Sequence, residues 1–397
     1  MAFFSRYGYR NPLFRMAAGL IDLFGSVFFF WMRRDFSKEK NLTSKVKSIL
    51  VVKLDHLGDA FLLTPLFEAL KKKFPQAVIT CLCLPASRPI FENNPFIDQI
   101  LTFRYQRSMR STSETPEPIR KMLRLFREQK PNLLIDPRGD FWVAVYGFLA
   151  AARRRVGFRA EEPGSFLFHQ TLPLIPGEPE AMRNLRLPGL FGGEVVHSFP
   201  KIHATPEEVE ALRASTETQT GRILLGVHPG AGFPYKKWPL ERTAALLKRV
   251  HIHFPETRIF VFGEKKERGE CEDLIHQSGI STPSISNEAG KWTLRETYVF
   301  VGKMNAFFGN DSVLAHFCAG QNVPVLELMN AAVDASRWHA CGDGTEWLVG
   351  RDPEHRCALN ECVYPCPHMV SLDLDSVWNS FRAILENARV AVKERPQ

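Results

Sequence analysis

The chain has no apolar run of ordinary membrane-spanning length, no internal repeat and no low-complexity tract. Its longest apolar stretch, Met16 to Met32, holds seventeen residues and one charge, Asp22. A spanning helix needs about 20 residues, with about 17 as the lower limit, so whether residues 13–32 span, lie on a membrane or pack on the protein stays open at this point. A cleaved leader is disfavoured too, because Arg33-Arg34-Asp35 follows where small residues would mark a cleavage site. Eight cysteines in 397 residues suggest no disulfide framework. No Gly-x-Gly-x-x-Gly follows the first predicted strand, which argues against a dinucleotide-dependent dehydrogenase. No Asp-x-Asp motif marks a nucleotide site.

What is present is a globular composition, 45% hydrophobic and 24% charged, too long for one ordinary core. The net charge of +8 is uneven: residues 1–50 hold nine Lys or Arg against three Asp or Glu. That excess adjoins the most apolar stretch, which points to an anionic membrane surface and away from nucleic acid. Arg15, Gly19, Asp22, Ser26 and Arg33 form one helical stripe. The stripe predicts a helix lying in a membrane interface, with a helix packed on the protein's own surface as the alternative.

The run Ile49-Leu50-Val51-Val52-Lys53-Leu54-Asp55-His56-Leu57-Gly58-Asp59 reads as strand, tight turn and helix start. The helix is expected over 60–73. Strands at 48–53, 77–83, 132–136 and near 153–158 alternate with helices at 117–129, 140–152 and 183–192. The stretch 104–116 reads as a mobile loop and 159–180 as loop-rich. A linker is expected within 199–221. Strands at 222–227, 257–262, 305–308 and 323–328 follow, with helices at 240–253, 267–277 and 312–320. A terminal helix is expected at 373–390. This alternation predicts two doubly wound α/β domains. Ligands of such sheets bind beyond the carboxyl ends of the strands, so a carboxylate such as Asp59 is placed for chemistry, although it could equally cap its helix.

Lys53, Gly58-Asp59, Thr64-Pro65, Leu70 and Phe74-Pro75 resemble the amino-terminal signature of glycosyltransferase family 9, the heptosyltransferases of lipopolysaccharide assembly. Three further blocks fit in the same order. They are Val227-His228-Pro229-Gly230-Ala231 with Lys236-Lys237-Trp238-Pro239, then Gly309-Asn310-Asp311-Ser312 with His316 and Pro324, then Cys366-Pro367-His368-Met369 with Val377. The resemblance implies two Rossmann-like domains facing across a cleft, the GT-B type, with the apolar helix added in front. The expected layout is a membrane-associating segment 1–47, an acceptor domain 48–200, a donor domain 201–372 and a tail 373–397. It implies an inverting enzyme moving a heptose from a nucleotide-diphosphate sugar, ADP-heptose in the first instance, to a lipid-linked oligosaccharide. It would work without cofactor or catalytic metal, on the cytoplasmic inner face of the membrane. The alternative is a relative that binds nucleotide or glycan without turnover.

Carried onto this sequence, the resemblance makes Asp59 the general base, with Gly58 shaping its loop and Asp55 the local competitor. Gly230 offers backbone N–H groups to phosphate, and Lys236 a compact positive charge. Glu267, with Glu264 as fallback, would hold ribose hydroxyls. Asp311 and Ser312 open a helix facing the donor sugar, and His316 lies on the same helix face. Two departures fall in this region: Val313 where the family has glycine, and Leu328-Met329-Asn330 where it has Leu-Phe-Gly. They motivate the binding-only alternative. Trp238 reads as a packing anchor. Cys357, Cys362 and Cys366, flanked by His355 and His368, lack the paired C-x-x-C of strong zinc sites. A packing or redox role and a structural metal both remain open there.

Overall fold

Parallel strands covered on both faces require continuous apolar runs, not alternating ones, and the central strands here obey that rule. The computed structural model describes residues 12–32, 38–39, 42–105, 117–159, 163–192, 198–211, 221–357, 362 and 364–394. Arg33-Arg34, most of the 104–116 loop and residues 212–220 of the expected linker lie outside them. The chain divides into two units, Met1–Ser198 and Phe199–Gln397.

The first unit contains β1 (Ser48–Lys53), β2 (Val78–Cys83), β3 (Gln99–Thr102), β4 (Leu133–Asp136), β5 (Arg154–Phe158) and β6 (Gln170–Leu172). All pair in parallel, in the order β3-β2-β1-β4-β5-β6. The second unit contains β7 (Leu224–His228), β8 (Arg258–Val261), β9 (Ile285–Asn287), β10 (Ala306–Asn310), β11 (Val325–Asn330) and β12 (Thr345–Gly350). Their order, β12-β11-β10-β7-β8-β9, is again all parallel. Counted from each unit's first strand, the two sheets have one arrangement. Each reverses direction at a switch point, between β1 and β4 or between β7 and β10, where diverging loops open a crevice.

The four strands absent from the sequence reading, β3, β6, β9 and β12, are the four sheet edges. Their residues are mostly half-buried or exposed, so they carry no apolar run. The helix expected at 60–73 is two helices, Leu57–Phe61 and Thr64–Lys73. Pro65 sits in the first turn of the second, where its missing N–H costs nothing, and the Thr64 hydroxyl donates to the Phe61 carbonyl at 2.9 Å. Each sheet has its own core: Leu50, Val52, Leu82, Phe126 and Leu134 in the first unit, and Val227, Trp238, Leu247, Phe308 and Phe381 in the second. Phe381 belongs to the terminal helix Leu374–Glu394, which packs on β10, β11 and the helix Leu240–His253.

Helix α1 (Pro12–Phe28) packs on the first unit through its stripe of small and polar residues. Ala18 and Asp22 are buried, and the Asp22 carboxylate accepts from the Gly164 amide at 2.7 Å. Gly25 rides directly on the Phe166 ring, where any Cβ would collide. Beyond the helix, Phe29 stacks on Phe166 at 5.7 Å. Ala18, Asp22 and Gly25 thus face protein, as the alternative of a helix packed on the protein's own surface expects. The opposite side, with Leu20, Phe24, Val27 and Phe28, is exposed, Phe28 at 73%. No described helix is long and apolar enough to cross a membrane.

Candidate active site

In the first unit, titratable groups gather at the switch point. β1 ends on Lys53, a lysine buried in an otherwise apolar strand. Its ammonium lies 3.0 Å from Asp55 Oδ2, and the Arg138 guanidinium, from the loop after β4, pairs with Asp55 Oδ1. Burial opposes ionisation of Asp55, but the two cations outweigh it and bring its pKa down to about 2. Asp55 is thereby a fixed anion.

Asp59 is the opposite case. It lies in the first turn of the helix Leu57–Phe61, half-buried, and His56 occupies the N-cap position instead. Burial is the main cause raising its pKa to about 6; the Asp55 and Glu180 charges add to the rise, and Lys53 and Arg138 pull against it. Two carboxylates four residues apart are thus driven in opposite directions, the pattern that separates a base from a structural anion. Gly58 is inside the helix and not among the positive-φ glycines. Nearby, Asp136 accepts from the Arg138 amide at 3.0 Å and the Asp140 amide at 2.8 Å, which fixes the loop carrying Arg138. Glu180 is neutralised by Arg183, whose guanidinium also covers the Phe158 ring.

In the second unit the loops after β7, β8 and β10 converge. His228 ends β7 and ties them together: Nδ1 lies 3.1 Å from Ser312 Oγ and Nε2 3.4 Å from Glu267 Oε2. The Ser312 hydroxyl thus meets His228 and does not cap the helix Val313–Ala319. Glu267 also accepts from the Glu264 amide at 2.7 Å. Burial opposes its charge, but the His228 bond leads the effects that bring its pKa down to about 2. Gly230 leaves the space beside this carboxylate open, since a Cβ there would strike Glu267 Oε1 and His228 Nε2. Lys236 Nζ lies 2.6 Å from Asp311 Oδ2. Trp238 is buried, with its indole N–H on the Leu372 carbonyl at 3.0 Å, a packing role.

His316 is buried beneath this surface. Burial brings its pKa down to about 4, so the imidazole is neutral, and its Nδ1 has no hydrogen-bond partner. Asp311, His316 and Glu327 bring ligand atoms within 4.8 Å of one another. Lys236 already neutralises Asp311, and burial pushes Glu327 well above the carboxylate range, so the group behaves as an internal polar cluster.

Several residues here went without a role in the sequence reading. Asn310 clamps the β7 loop at both ends, accepting from the Trp238 amide at 3.0 Å and donating to the Pro229 carbonyl at 2.7 Å. Asn330, one of the departures, donates to the Tyr235 carbonyl at 2.7 Å and so braces the turn carrying Lys236. Lys53 and Glu327 were detectable as charges inside apolar strand runs.

The family model for glycosyltransferase family 9 (heptosyltransferase) matches residues 119–367. The chain belongs to that family and is a glycosyltransferase of the heptosyltransferase type. The match begins after Asp59. The chain is 25% identical over 292 residues to a lipopolysaccharide heptosyltransferase 3 of Escherichia coli, covering 69% of this chain and 81% of the relative. It is 23% identical to lipopolysaccharide heptosyltransferase 2 of Salmonella typhimurium over 70% of this chain and 82% of that one. Among solved structures, E. coli ADP-heptose lipopolysaccharide heptosyltransferase II aligns with a TM-score of 0.65 at 18% identity, over 86% of this chain and 99% of its own. A family 9 glycosyltransferase from Veillonella parvula aligns at 0.69 and 20%, over 86% and 98%. These shared folds bear out the two Rossmann-like domains of GT-B type.

Proposed function

We propose that the enzyme transfers heptose from ADP-heptose to a lipopolysaccharide-core acceptor, with inversion, and that Asp59 is its general base. The carrying observation is the split between Asp59 and Asp55. Near neutral pH a carboxyl with a pKa of about 6 is largely ionised, yet basic enough to accept a proton. Asp59 takes the proton of the acceptor hydroxyl. That oxygen bonds to the anomeric carbon, and the bond from carbon to the diphosphate oxygen breaks on the opposite face. The electron pair leaves with the nucleotide, and attack from the opposite face inverts the centre. Gly58 keeps bulk away from the base.

The donor is held by the second unit. Lys236 meets the diphosphate as negative charge builds on it. Gly230 brings backbone close to the phosphates, and Glu267, ionised and fixed by His228, accepts from the ribose hydroxyls. Asp311, with its charge balanced by Lys236, is suited to a sugar hydroxyl. Ser312, bonded to His228, holds the β10 loop in place, and His316 lies beneath it on the same helix. Two solved E. coli heptosyltransferase structures, one with ADP and one with an ADP-2-deoxy-2-fluoro heptose, share this fold with TM-scores of 0.61 and 0.62; they make ADP-heptose the first donor to test. The exposed apolar side of α1, beside a cationic amino-terminal segment, supports peripheral contact with the inner face of the membrane, where lipid-linked acceptors reside.

The test is turnover of ADP-heptose with heptose-deficient core acceptor, read as ADP release and as the anomeric configuration of the product. Release of ADP with inverted product supports the reading. A retained configuration overturns the direct displacement. Tight ADP binding without turnover on any core acceptor would leave the chain a binding protein.

A further inference from the structure

The segment following β12 holds a cluster that the donor site does not use. His355, Cys357, Cys362 and Cys366 bring one imidazole nitrogen and three sulfurs to within 4.8 Å of one another. His355 Nε2 lies 3.3 Å from Cys362 Sγ, and Cys362 Sγ lies 3.4 Å from Cys366 Sγ. A tetrahedral zinc bound by sulfur at about 2.3 Å and nitrogen at about 2.0–2.1 Å separates its ligand atoms by about 3.6–3.8 Å. The His355–Cys362 and Cys362–Cys366 separations lie a little inside those edges, and all four ligand atoms lie within 4.8 Å of one another. Three sulfurs and one imidazole match a closed structural zinc set in both number and chemistry.

We infer that His355, Cys357, Cys362 and Cys366 form a structural zinc site. The surroundings agree. Cys366 is buried, and the Asn330 side-chain amide donates to its sulfur at 3.2 Å. An N–H donor aimed at a sulfur is the outer-shell contact that a metal-bound thiolate accepts. The same amide donates to the Tyr235 carbonyl, so the metal would fix the position of the turn that carries Lys236. A small cross-link suits this part of the chain. The ligands span only twelve residues, and the elements there are short: after β12 comes the four-residue helix Pro367–Val370. The ligand spacings are one, four and three residues, which no C-x-x-C search detects. The assignment concerns folding of the second unit, and its test does not depend on the roles given to Asp59 and the donor residues.

The experiment is metal analysis of the full-length protein, purified without a metal-affinity step from zinc-supplemented cells. About one zinc per chain is expected. Cobalt exchanged into the site should give the intense visible bands of tetrahedral coordination with thiolate-to-metal charge transfer. Cys357→Ser should lower the zinc content while circular dichroism stays that of a folded protein. Cys357 is the variant of choice because it is half-buried; the buried Cys366 could unfold the chain if replaced. Metal-free protein in which Cys357, Cys362 and Cys366 are all found as free thiols after denaturation would overturn the site. So would a disulfide between Cys362 and Cys366 found by peptide mass mapping in freshly prepared protein.

Discussion

Lys236 and Asp311 neutralise one another across the mouth of the β7–β10 switch point, with Nζ 2.6 Å from Oδ2. Lys236 therefore has two jobs: to meet the donor phosphates and to cancel a carboxylate that would repel them. Lys236→Ala should weaken binding of the donor nucleotide by roughly ten- to hundredfold, the loss expected for one charge-assisted contact of about 1.5–3 kcal/mol. Adding Asp311→Asn should recover part of the loss, because the stranded charge disappears with it. Isothermal titration with ADP reads both variants. Unchanged affinity in Lys236→Ala would reduce Lys236 to a structural partner of Asp311.

Gly230 tests the adjoining carboxylate. Its φ is not positive, so alanine is allowed by the backbone, yet the new Cβ would strike Glu267 Oε1. Gly230→Ala should push Glu267 away from His228 and lower ADP affinity by at least about tenfold, since a hydrogen bond to a charged group is worth about 1.5–3 kcal/mol. Pyrophosphate, which has no ribose, should lose less affinity than ADP does. An equal loss for both ligands would place the damage at the phosphates and remove the ribose role from Glu267.

The central strands were legible because burial on both faces writes itself as an apolar run, as in Ile49-Leu50-Val51-Val52. The edges β3, β6, β9 and β12 were not, since a half-exposed strand of three to six residues leaves no such run. At the site, motif spacing located Asp59, Lys236 and Asp311, but not their electrostatics. Against its burial, Asp55 is held near pKa 2 by Lys53 and by Arg138, which lies more than seventy positions away along the chain, and Asp59 is raised to about 6 chiefly by the depth of its burial. The facing of α1 stayed open in the sequence between a membrane interface and the protein's own surface, because the Phe166 ring and the Gly164 amide, which take Gly25 and Asp22 as neighbours, lie more than a hundred residues away.

Phe24 and Phe28 lie on the exposed side of α1, at 69% and 73% exposure. Replacing both with Ser should weaken sedimentation with anionic vesicles by at least about tenfold, since burying one Phe side chain is worth about 1.5–3 kcal/mol. The melting temperature should hold, because neither ring supports the core. Asp22→Ala should do the reverse, lowering stability through the abandoned Gly164 amide by about 1–3 kcal/mol. Vesicle binding unaffected by the double Phe change would refute a membrane role for this face.

Asp59→Asn separates catalysis from stability, and the two should move in opposite directions. Asn keeps the shape but cannot take the acceptor's proton, so turnover should fall about a hundred- to ten-thousandfold while ADP affinity holds. Stability follows from the sign of the shift. The folded pKa of about 6 lies above the ordinary value of 3.8, chiefly because burial disfavours the charge. Below pH 3.8 the carboxyl is protonated in both folded and unfolded chains and imposes no penalty. Between pH 3.8 and 6 the unfolded chain ionises first, and stability is lost as pH rises; above 6 the penalty is constant. Asn carries no such term. The variant should therefore match the native protein in acid and exceed it by about 1–3 kcal/mol at neutral pH. Denaturant titrations at pH 4 and pH 7.5 measure the gap, and the native pH–rate profile should show an acid limb near 6. A variant with near-normal turnover would remove Asp59 from the chemistry. One that lost turnover without the neutral-pH gain in stability would show that the carboxyl is not strained by burial in the way its surroundings imply.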